Sequence, residues 1–389
     1  MGCLNITLRL LGLGVFGAVA FFAYVRFYLV NFYHSRDHNS PTDRQSALQM
    51  IFEGYELLNR NRPDLTAFEK GMYDKVASSN PPLKNKVVIL TGATKGLGRG
   101  MAGHLAAFGA TLVLPCRRCN FEQFKEQVKK DVQLVYEMYG PKTGKKKLEY
   151  IPDVHVFDLD LADLDQIDAF VEWYASKTGL GPADLLINNA GMVTMYPTRT
   201  KQGFETTFAV NFFAAAYLTE KLLEKNLIRG KIVAVSSEDH RESKTIEEVL
   251  RDEKVKFGQF WGHGLIDAMS RYGYSKLLET TYFLALSRRI PNPVIELCPG
   301  PIASDIPMAA MWPLNIIAKT AMDWLFLSIY QASLPVLRLA LDEKFAKTSG
   351  VHFHIAEERP ARADARDVKI QDQVYNWTKE LIRTKRAPE

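Results

Sequence analysis

The chain has 389 residues, of which 47% are hydrophobic and 24% are charged, and its formal net charge is +5. The charged fraction is ordinary for a globular protein, and no nucleic-acid-binding motif accompanies the basic residues. The four cysteines, at positions 3, 116, 119 and 298, are too few for the disulfide framework of a small secreted domain. They favour a reducing compartment.

The first predicted element is a membrane segment. Apolar residues run from Leu10 to Val25 and resume after Arg26, and the combined run approaches the roughly 20 residues that cross a bilayer. Its aromatic residues favour an uncleaved anchor over a cleaved signal peptide. We therefore predict a membrane anchor or signal-anchor at 1–35, followed by a polar connector at 36–83.

A βαβ unit is predicted directly after the connector. The apolar run from Lys86 to Leu90 continues into a turn with glycines at positions 92, 96 and 98, followed by apolar residues at helical spacing and a second apolar run. Glycines in such a turn let main-chain N–H groups and a helix N-terminus approach a pyrophosphate closely. The segment therefore predicts a dinucleotide-binding site.

The end of the second predicted strand indicates which dinucleotide binds. NAD-binding folds place an acidic residue there, against the ribose hydroxyls, whereas this chain has Arg117 and Arg118. A guanidinium suits a 2′-phosphate, so NADP(H) is favoured, NAD(H) stays possible, and Lys95 is a candidate second cation. Cys116 and Cys119 lack the second cysteine pair of a zinc site, and no metal site is predicted.

Tyr272 and Lys276 stand four residues apart in a predicted helix. Positions i and i+4 share one helix face, so the lysine charge can favour the tyrosine phenolate. Ser236 and Ser237 follow a predicted strand, Lys231 to Val235. Because hydride addition to a carbonyl builds negative charge on oxygen, the reaction needs a proton donor and a polar stabiliser, which a tyrosine and a serine can supply.

These motifs, in this order, resemble the short-chain dehydrogenase/reductase family from roughly Lys84 to Ala356, and the retinol-dehydrogenase-like branch is the most similar. The resemblance implies an α/β fold at 84–356, with a doubly wound, mostly parallel sheet of the Rossmann type. Beyond it we predict a basic C-terminal tail at 357–389.

The resemblance also implies the roles of individual residues. Tyr272 is the general acid/base, Lys276 lowers its pKa and holds the nicotinamide ribose, Ser237 hydrogen-bonds the substrate oxygen, and Asn211 supports a proton-relay water. The implied cofactor-binding residues are Thr91, Gly92, Thr94, Lys95, Gly96, Leu97, Gly98, Arg117, Asp160, Leu161, Asn188, Ala190, Gly191, Tyr272, Lys276, Pro299, Gly300, Ile302 and Ser304.

The predicted activity is interconversion of a carbonyl and an alcohol on a lipophilic molecule such as a retinoid, steroid or fatty derivative. The anchor and a second apolar region, Ile306 to Leu341, motivate the lipophilic substrate. The expected location is the endoplasmic reticulum membrane, with the catalytic domain facing the cytosol, and a homo-oligomer is left open. The alternatives are a catalytically silent, nucleotide-binding membrane interaction protein and an epimerase or dehydratase of the same fold.

Overall fold

The computed structural model describes residues 47–141, 148, 153–177, 179–251, 264–300 and 328–385. The chain divides into two compact units, Met1–Glu53 and Gly54–Glu389. The first unit is described only from residue 47 onward, so the predicted anchor at 1–35 lies outside the described residues. Among the helices that are described, none is both long enough and apolar enough to cross a membrane.

The second unit is built on one eight-stranded sheet with the strand order β3-β2-β1-β4-β5-β6-β7-β8. Neighbouring strands are parallel except β7 and β8, which pair antiparallel. The strands are β1 Val87–Leu90, β2 Thr111–Cys116, β3 Val154–Asp158, β4 Ala183–Asn188, β5 Ile228–Val235, β6 Val294–Cys298, β7 Val351–His354 and β8 Glu357–Glu358. This topology confirms the predicted mostly parallel sheet.

Helices connect most of these strands. They are α1 Ala47–Ala77, α2 Gly96–Ala107, α3 Phe121–Tyr139, α4 Leu164–Ser176, α5 in three joined segments (Thr206–Phe208, the π-helical Ala209–Phe213 and Ala214–Glu224), α6 Ile246–Arg251, α7 Leu265–Ser287, α8 Ile329–Leu341, α9 Ala363–Arg366 and α10 Val368–Thr384. Short 3₁₀ turns occupy Glu238–Glu242 and Glu343–Phe345.

Each face of the sheet carries its own hydrophobic cluster. In β1, Val87 and Ile89 belong to one cluster, and Val88 and Leu90 belong to the other, because successive side chains of a strand point to opposite faces. Helices α4, α5, α7 and α10 pack on the first face, whereas α1, α2, α3 and α8 pack on the second. The sheet is therefore doubly wound, as predicted.

Helix α1, within the range predicted as a connector, packs against this core. The buried Tyr73 hydroxyl lies 2.6 Å from His104 Nδ1 on α2, and His104 Nε2 lies 3.0 Å from the Tyr330 carbonyl oxygen on α8. Burial lowers the pKa of His104 to about 4. A neutral imidazole therefore joins three helices on one face of the sheet.

Helix α10, within the range predicted as a tail, packs on the opposite face. Val374 and Leu381 are buried in its hydrophobic cluster, and Lys379 Nζ donates to Glu220 Oε2 on α5 at 2.9 Å. The helix therefore packs beside α5 and α7, the helices that carry Asn211 and Tyr272.

Candidate functional site

The glycine turn lies between β1 and α2, at the carboxyl end of β1. Gly92 and Gly96 have φ angles of 70° and 50°, in the left-handed region that glycine adopts without strain. A Cβ atom on Gly98 would lie 2.2 Å from the Gly92 carbonyl oxygen, so only glycine allows this close approach. Thr94 and Lys95 are exposed beside the turn, whereas the Leu97 side chain is buried in the core. The N-terminus of α2 is therefore open to an anion.

Hydrogen bonds tie this turn to the end of β4. Thr91 Oγ1 accepts from the N–H groups of Asn189 and Ala190, both at 3.0 Å, and Asn189 Nδ2 donates to the Thr91 carbonyl oxygen at 2.9 Å. Asn188 Nδ2 instead donates to Thr219 Oγ1 in α5 at 2.9 Å. Asn189 therefore stabilises the turn, although it is absent from the predicted site residues. The Asn188 side chain instead contacts α5.

The ends of β2 and β3 bring Arg117 and Asp160 together. The Arg117 side chain is 57% exposed, and its NH1 atom lies 3.8 Å from Asp160 Oδ2. Asp160 Oδ1 also accepts from the main-chain N–H of Ala162 at 3.0 Å, and Leu161 packs against the core. Because an exposed ion pair at this distance is weak, the guanidinium is available to another anion.

Cys116 and Cys119, on either side of Arg117, form a disulfide. The sequence did not predict this bond, since the small number of cysteines was interpreted as typical of a reducing compartment. A C-x-x-C spacing is compatible with zinc or with redox chemistry, and the structure shows the two sulfur atoms bonded to each other. Cys298 is the free cysteine among the described residues, and it is buried.

Tyr272 and Lys276 lie on α7, and Ser237 follows β5. Ser237 lies within hydrogen-bonding reach of Tyr272, where it favours the phenolate, and Lys276 Nζ lies 6.0 Å from the centre of the Tyr272 ring. Ser236 is buried and its Oγ lies 2.9 Å from Thr280 Oγ1. Of the two serines, Ser237 is therefore the one that faces the tyrosine.

Asp239 joins the same hydrogen-bonded group. Ser237 Oγ donates to Asp239 Oδ2 at 3.0 Å, and Gly273 allows the Asp239 main chain to approach α7, because a Cβ there would lie 2.6 Å from the Asp239 carbonyl oxygen. Burial raises the pKa of Tyr272 well above its ordinary value, and the Asp239 charge adds to this effect, while the Ser237 hydrogen bond opposes it. In this structure, burial outweighs the lowering of the Tyr272 pKa that was expected from Lys276.

Lys276 is held by two acceptors. Its Nζ donates to the Val235 carbonyl oxygen and to Glu279 Oε2, each at 2.8 Å, and the Lys276 and Glu279 side chains are 3% and 1% exposed. Burial raises the pKa of Glu279 to about 8, although Lys276 pulls it downward. Glu279 is absent from the predicted site residues. Its position three residues after Lys276, on the same helix face, is the feature of the sequence that could have indicated it. Because an ammonium has three donors, one stays available to a further acceptor.

Asn211 lies in the π-helical segment of α5 and is fully buried. Its side chain accepts from the Met192 N–H at 2.8 Å, and donates to the Met192 carbonyl oxygen at 2.9 Å and to Ser275 Oγ at 3.0 Å. A Cβ on Gly191 would lie 3.6 Å from Lys276 Nζ and 3.7 Å from Asn211 Oδ1. Asn211 thus fixes the chain that follows Gly191, next to Lys276.

The end of β6 lies at the same edge of the sheet. Pro299 and Gly300 follow the strand, and Gly300 has a φ of 86°, where a Cβ would lie 2.8 Å from Ile355 Cγ1. Ile302 and Ser304 lie outside the described residues, so their role in cofactor binding stays a prediction.

A buried ionic cluster, formed by Glu238, Glu296 and His352, lies beside Ser237. Glu296 and His352 are register partners on β6 and β7, and His352 Nδ1 hydrogen-bonds to Glu296. His352 Nε2 lies 2.9 Å from Glu238 Oε1. Burial alone would lower the pKa of His352, but the two carboxylates outweigh it and raise the pKa to about 9. The imidazolium therefore sits between two carboxylates, an arrangement that sequence reasoning missed.

Two members of this cluster, together with the neighbouring His240, have the residue types of a metal site. Glu238, His240 and His352 offer ligand atoms within 4.8 Å of one another. However, His240 Nδ1 donates to the Ser237 carbonyl oxygen at 2.7 Å, and both ring nitrogens of His352 are engaged by carboxylates. Hydrogen bonding therefore accounts for the cluster.

The glycine turn stands where the strand order reverses, between β1 and β4, which is where open α/β sheets bind their ligands. The tyrosine, serine and lysine lie on α7 and at the end of β5, on the neighbouring elements. Fold and site together define an α/β enzyme of the dinucleotide-binding class.

Comparison with known proteins gives the family. The family model for the short chain dehydrogenase matches residues 86–245. Human "Retinol dehydrogenase 11" is 30% identical over 318 residues, which cover 79% of this chain and 89% of that protein. Mouse "Retinol dehydrogenase 12" is 27% identical over 345 residues, which cover 86% of this chain and 97% of that protein. The chain therefore belongs to the short-chain dehydrogenase/reductase family, in its retinol-dehydrogenase-like branch, and is an oxidoreductase of CH–OH and C=O groups.

A solved structure supports the fold independently. The crystal structure of an uncharacterized protein from Mycobacterium Paratuberculosis matches with a TM-score of 0.53 and 20% sequence identity. The match covers 80% of this chain and 99% of that chain. The family and the sheet architecture predicted from the sequence are both confirmed.

Proposed function

We propose that this chain is an NADP(H)-dependent oxidoreductase that interconverts a carbonyl and an alcohol on a lipophilic molecule, with Tyr272 as the acid/base. The observation that carries the proposal is the placement of Tyr272 within hydrogen-bonding reach of Ser237 and beside Lys276. A proton donor and a polar stabiliser are the groups that carbonyl reduction requires.

The residues around the glycine turn fit a dinucleotide. Gly98 lies so close to the Gly92 carbonyl oxygen that a Cβ would occupy the space between them. The N-terminus of α2 suits a pyrophosphate. Arg117 offers an exposed guanidinium for a 2′-phosphate, and Lys276 has a donor for a ribose hydroxyl. When bound, the cofactor supplies the hydride and, in its oxidised form, a positive charge near the tyrosine.

The protein groups then have distinct tasks. The raised pKa keeps Tyr272 protonated at neutral pH, which is the form that donates a proton to the reduced carbonyl oxygen. The Ser237 hydroxyl, which donates to Asp239 in the structure, can turn to donate to the substrate oxygen. For alcohol oxidation the tyrosine must first lose its proton, and the positive charges of Lys276 and of the oxidised cofactor would favour that loss.

A lipophilic substrate is supported by the relatives, whose names specify retinol. The predicted anchor at 1–35 would hold the enzyme on a membrane in which such a substrate dissolves. We extend the proposal to residence in the endoplasmic reticulum, with the catalytic domain on the cytosolic side.

The test is turnover by the full chain in detergent micelles, followed by NADPH absorbance, with all-trans-retinal and with glyceraldehyde as a polar carbonyl. We expect Tyr272→Phe to lower kcat/KM for retinal by about 10²- to 10⁴-fold. Tyr274→Phe, which removes a hydroxyl from another buried tyrosine of α7, should keep most of the activity.

Three outcomes would contradict parts of the proposal. Equal activity of the wild type and Tyr272→Phe would exclude Tyr272 as the acid/base. Turnover confined to glyceraldehyde would exclude the lipophilic substrate. Conversion of a substrate without any change in NADPH absorbance would favour an epimerase or dehydratase.

A further inference from the structure

We propose that Cys116 and Cys119 form a reversible disulfide that controls how tightly the chain binds the 2′-phosphate of its cofactor. This inference rests on the proposed function, because it takes Arg117 as the cation that contacts the phosphate. It adds a thiol-based regulatory site to that function.

The position of the bond carries the inference. Cys116 is the last residue of β2, and Cys119 directly precedes Asn120, the N-cap of α3. The two Cα atoms are 6.0 Å apart, and the closed loop contains Arg117 and Arg118. The disulfide therefore joins the end of a strand to the start of a helix across the loop that presents the phosphate-binding arginine.

Among the described residues, two main-chain hydrogen bonds also hold this loop. The Arg118 N–H donates to Asp158 Oδ1 at 2.8 Å, with Arg118 at a φ of 52°, and the Cys116 carbonyl oxygen accepts from the Leu159 N–H at 2.8 Å. Within the described part of the chain, the side-chain contact of Arg117 is the 3.8 Å ion pair with Asp160. Because the disulfide restricts the main chain here, it lowers the entropy lost when Arg117 is ordered on a phosphate.

The surroundings also suit thiol–disulfide exchange. Cys119 is partly exposed, it lies at the N-terminal end of the 19-residue α3, and two arginines precede it. Positive potential from a helix N-terminus and from guanidinium groups stabilises the thiolate that attacks a disulfide. In a reducing compartment such bonds are typically transient and redox-sensing.

The reaction balances with a small disulfide such as oxidised glutathione. The Cys119 thiolate attacks it to form a mixed disulfide and releases one glutathione thiolate. Cys116 then displaces the second glutathione and closes the S–S bond. The two protein thiols lose two electrons and two protons, and glutathione leaves as two thiols.

The experiment equilibrates the full chain in detergent with defined ratios of reduced to oxidised glutathione. Alkylation and mass spectrometry give the oxidised fraction, and quenching of protein fluorescence gives Kd for NADP⁺ and for NAD⁺. We expect full reduction to raise Kd for NADP⁺ about three- to tenfold, the range expected when one arginine loses its preorganisation, with little change for NAD⁺.

Two variants serve as matched controls. Cys119→Ser should bind NADP⁺ like the reduced wild type under all conditions. Cys298→Ser, which alters the buried cysteine of β6, should keep the full redox response. The titration of the wild type alone tests the inference even if a variant does not fold.

The failures are distinguishable. An unchanged Kd for NADP⁺, or cysteines that never pair, would overturn the inference and leave the proposed function intact. An equal change for NADP⁺ and NAD⁺ would overturn the assignment to the 2′-phosphate. Binding of neither nucleotide in either state would overturn the proposed function itself, and the inference with it.

Discussion

The glycine turn and the predicted catalytic group lie at one edge of the same sheet, but different interactions hold them. The turn is fixed by glycines and by neutral hydrogen bonds between Thr91 and Asn189. The predicted catalytic group lies among buried ionisable side chains, with Lys276 beside Glu279 and His352 between its two carboxylates.

This difference predicts two kinds of sensitivity. Close main-chain packing does not tolerate an added atom, but its contribution to stability does not depend on pH. A buried charge depends on its partner and on protonation, because desolvation makes an unpaired ion expensive. The two regions should therefore respond to different perturbations.

The largest effect is expected from His352→Leu. The variant leaves Glu238 and Glu296 buried without the imidazolium between them, so we expect the free energy of unfolding to fall by about 3 to 5 kcal/mol. Urea unfolding measures this loss. The same substitution at His155, on the partly exposed face of β3, should cost about 0.5 kcal/mol or less. Equal losses at the two sites would mean that the ionic cluster has no special role.

Next is Gly98→Ala, which adds one carbon atom to the nucleotide turn. The new Cβ would meet the Gly92 carbonyl oxygen, so we expect a loss of about 1 to 3 kcal/mol in stability, with weaker binding of NADP⁺. Gly71→Ala, on α1, is the control, since no atom lies within 4 Å of its added Cβ. Retention of wild-type NADP⁺ affinity by Gly98→Ala would contradict the role of the turn.

A smaller effect is expected from Thr91→Val, which keeps the shape but removes the acceptor of two N–H groups. Leaving those donors unpaired should cost about 1 to 2 kcal/mol in urea unfolding. Thr281→Val is a matched control, because the Thr281 hydroxyl donates to the Leu277 carbonyl oxygen, which the helix already satisfies. Both variants should unfold with the same dependence on pH as the wild type.

The last change, which is expected mainly in the pH dependence of stability, is Glu279→Gln. The pKa of Glu279 is raised from 4.5 to about 8, so the folded state holds its proton more tightly and stability falls as pH rises through that interval. The pKa of His352 is raised from 6.5 to about 9, and its contribution is present below pH 6.5 and lost as pH rises to 9.

Urea unfolding between pH 5 and 9 separates these two groups, since the pKa values of about 8 and about 9 give overlapping but distinct windows. Glu279→Gln should flatten the lower part of the wild-type decline and leave the upper part to His352. A variant whose decline matches the wild type throughout would show that Glu279 is ionised across the whole range.

Much of the nucleotide-binding region could be predicted from the sequence. Its glycines, its strand and its helix are contiguous, so their relation is set by local geometry. The order of the later motifs was enough to predict the family and the doubly wound sheet. The spacing of Tyr272 and Lys276 likewise follows from a single helix.

The sequence alone determined which groups can react, because helix periodicity and turn chemistry act over a few residues. Only the tertiary structure decided which charge each buried group faces. Parallel pairing places β5, β6 and β7 side by side and brings together Glu238, Glu296 and His352, which are distant in the chain. The same packing buries Lys276 and Glu279, which lie three residues apart on α7. Desolvation depends on everything that surrounds a group, so its effect on these charges could not be read from local sequence.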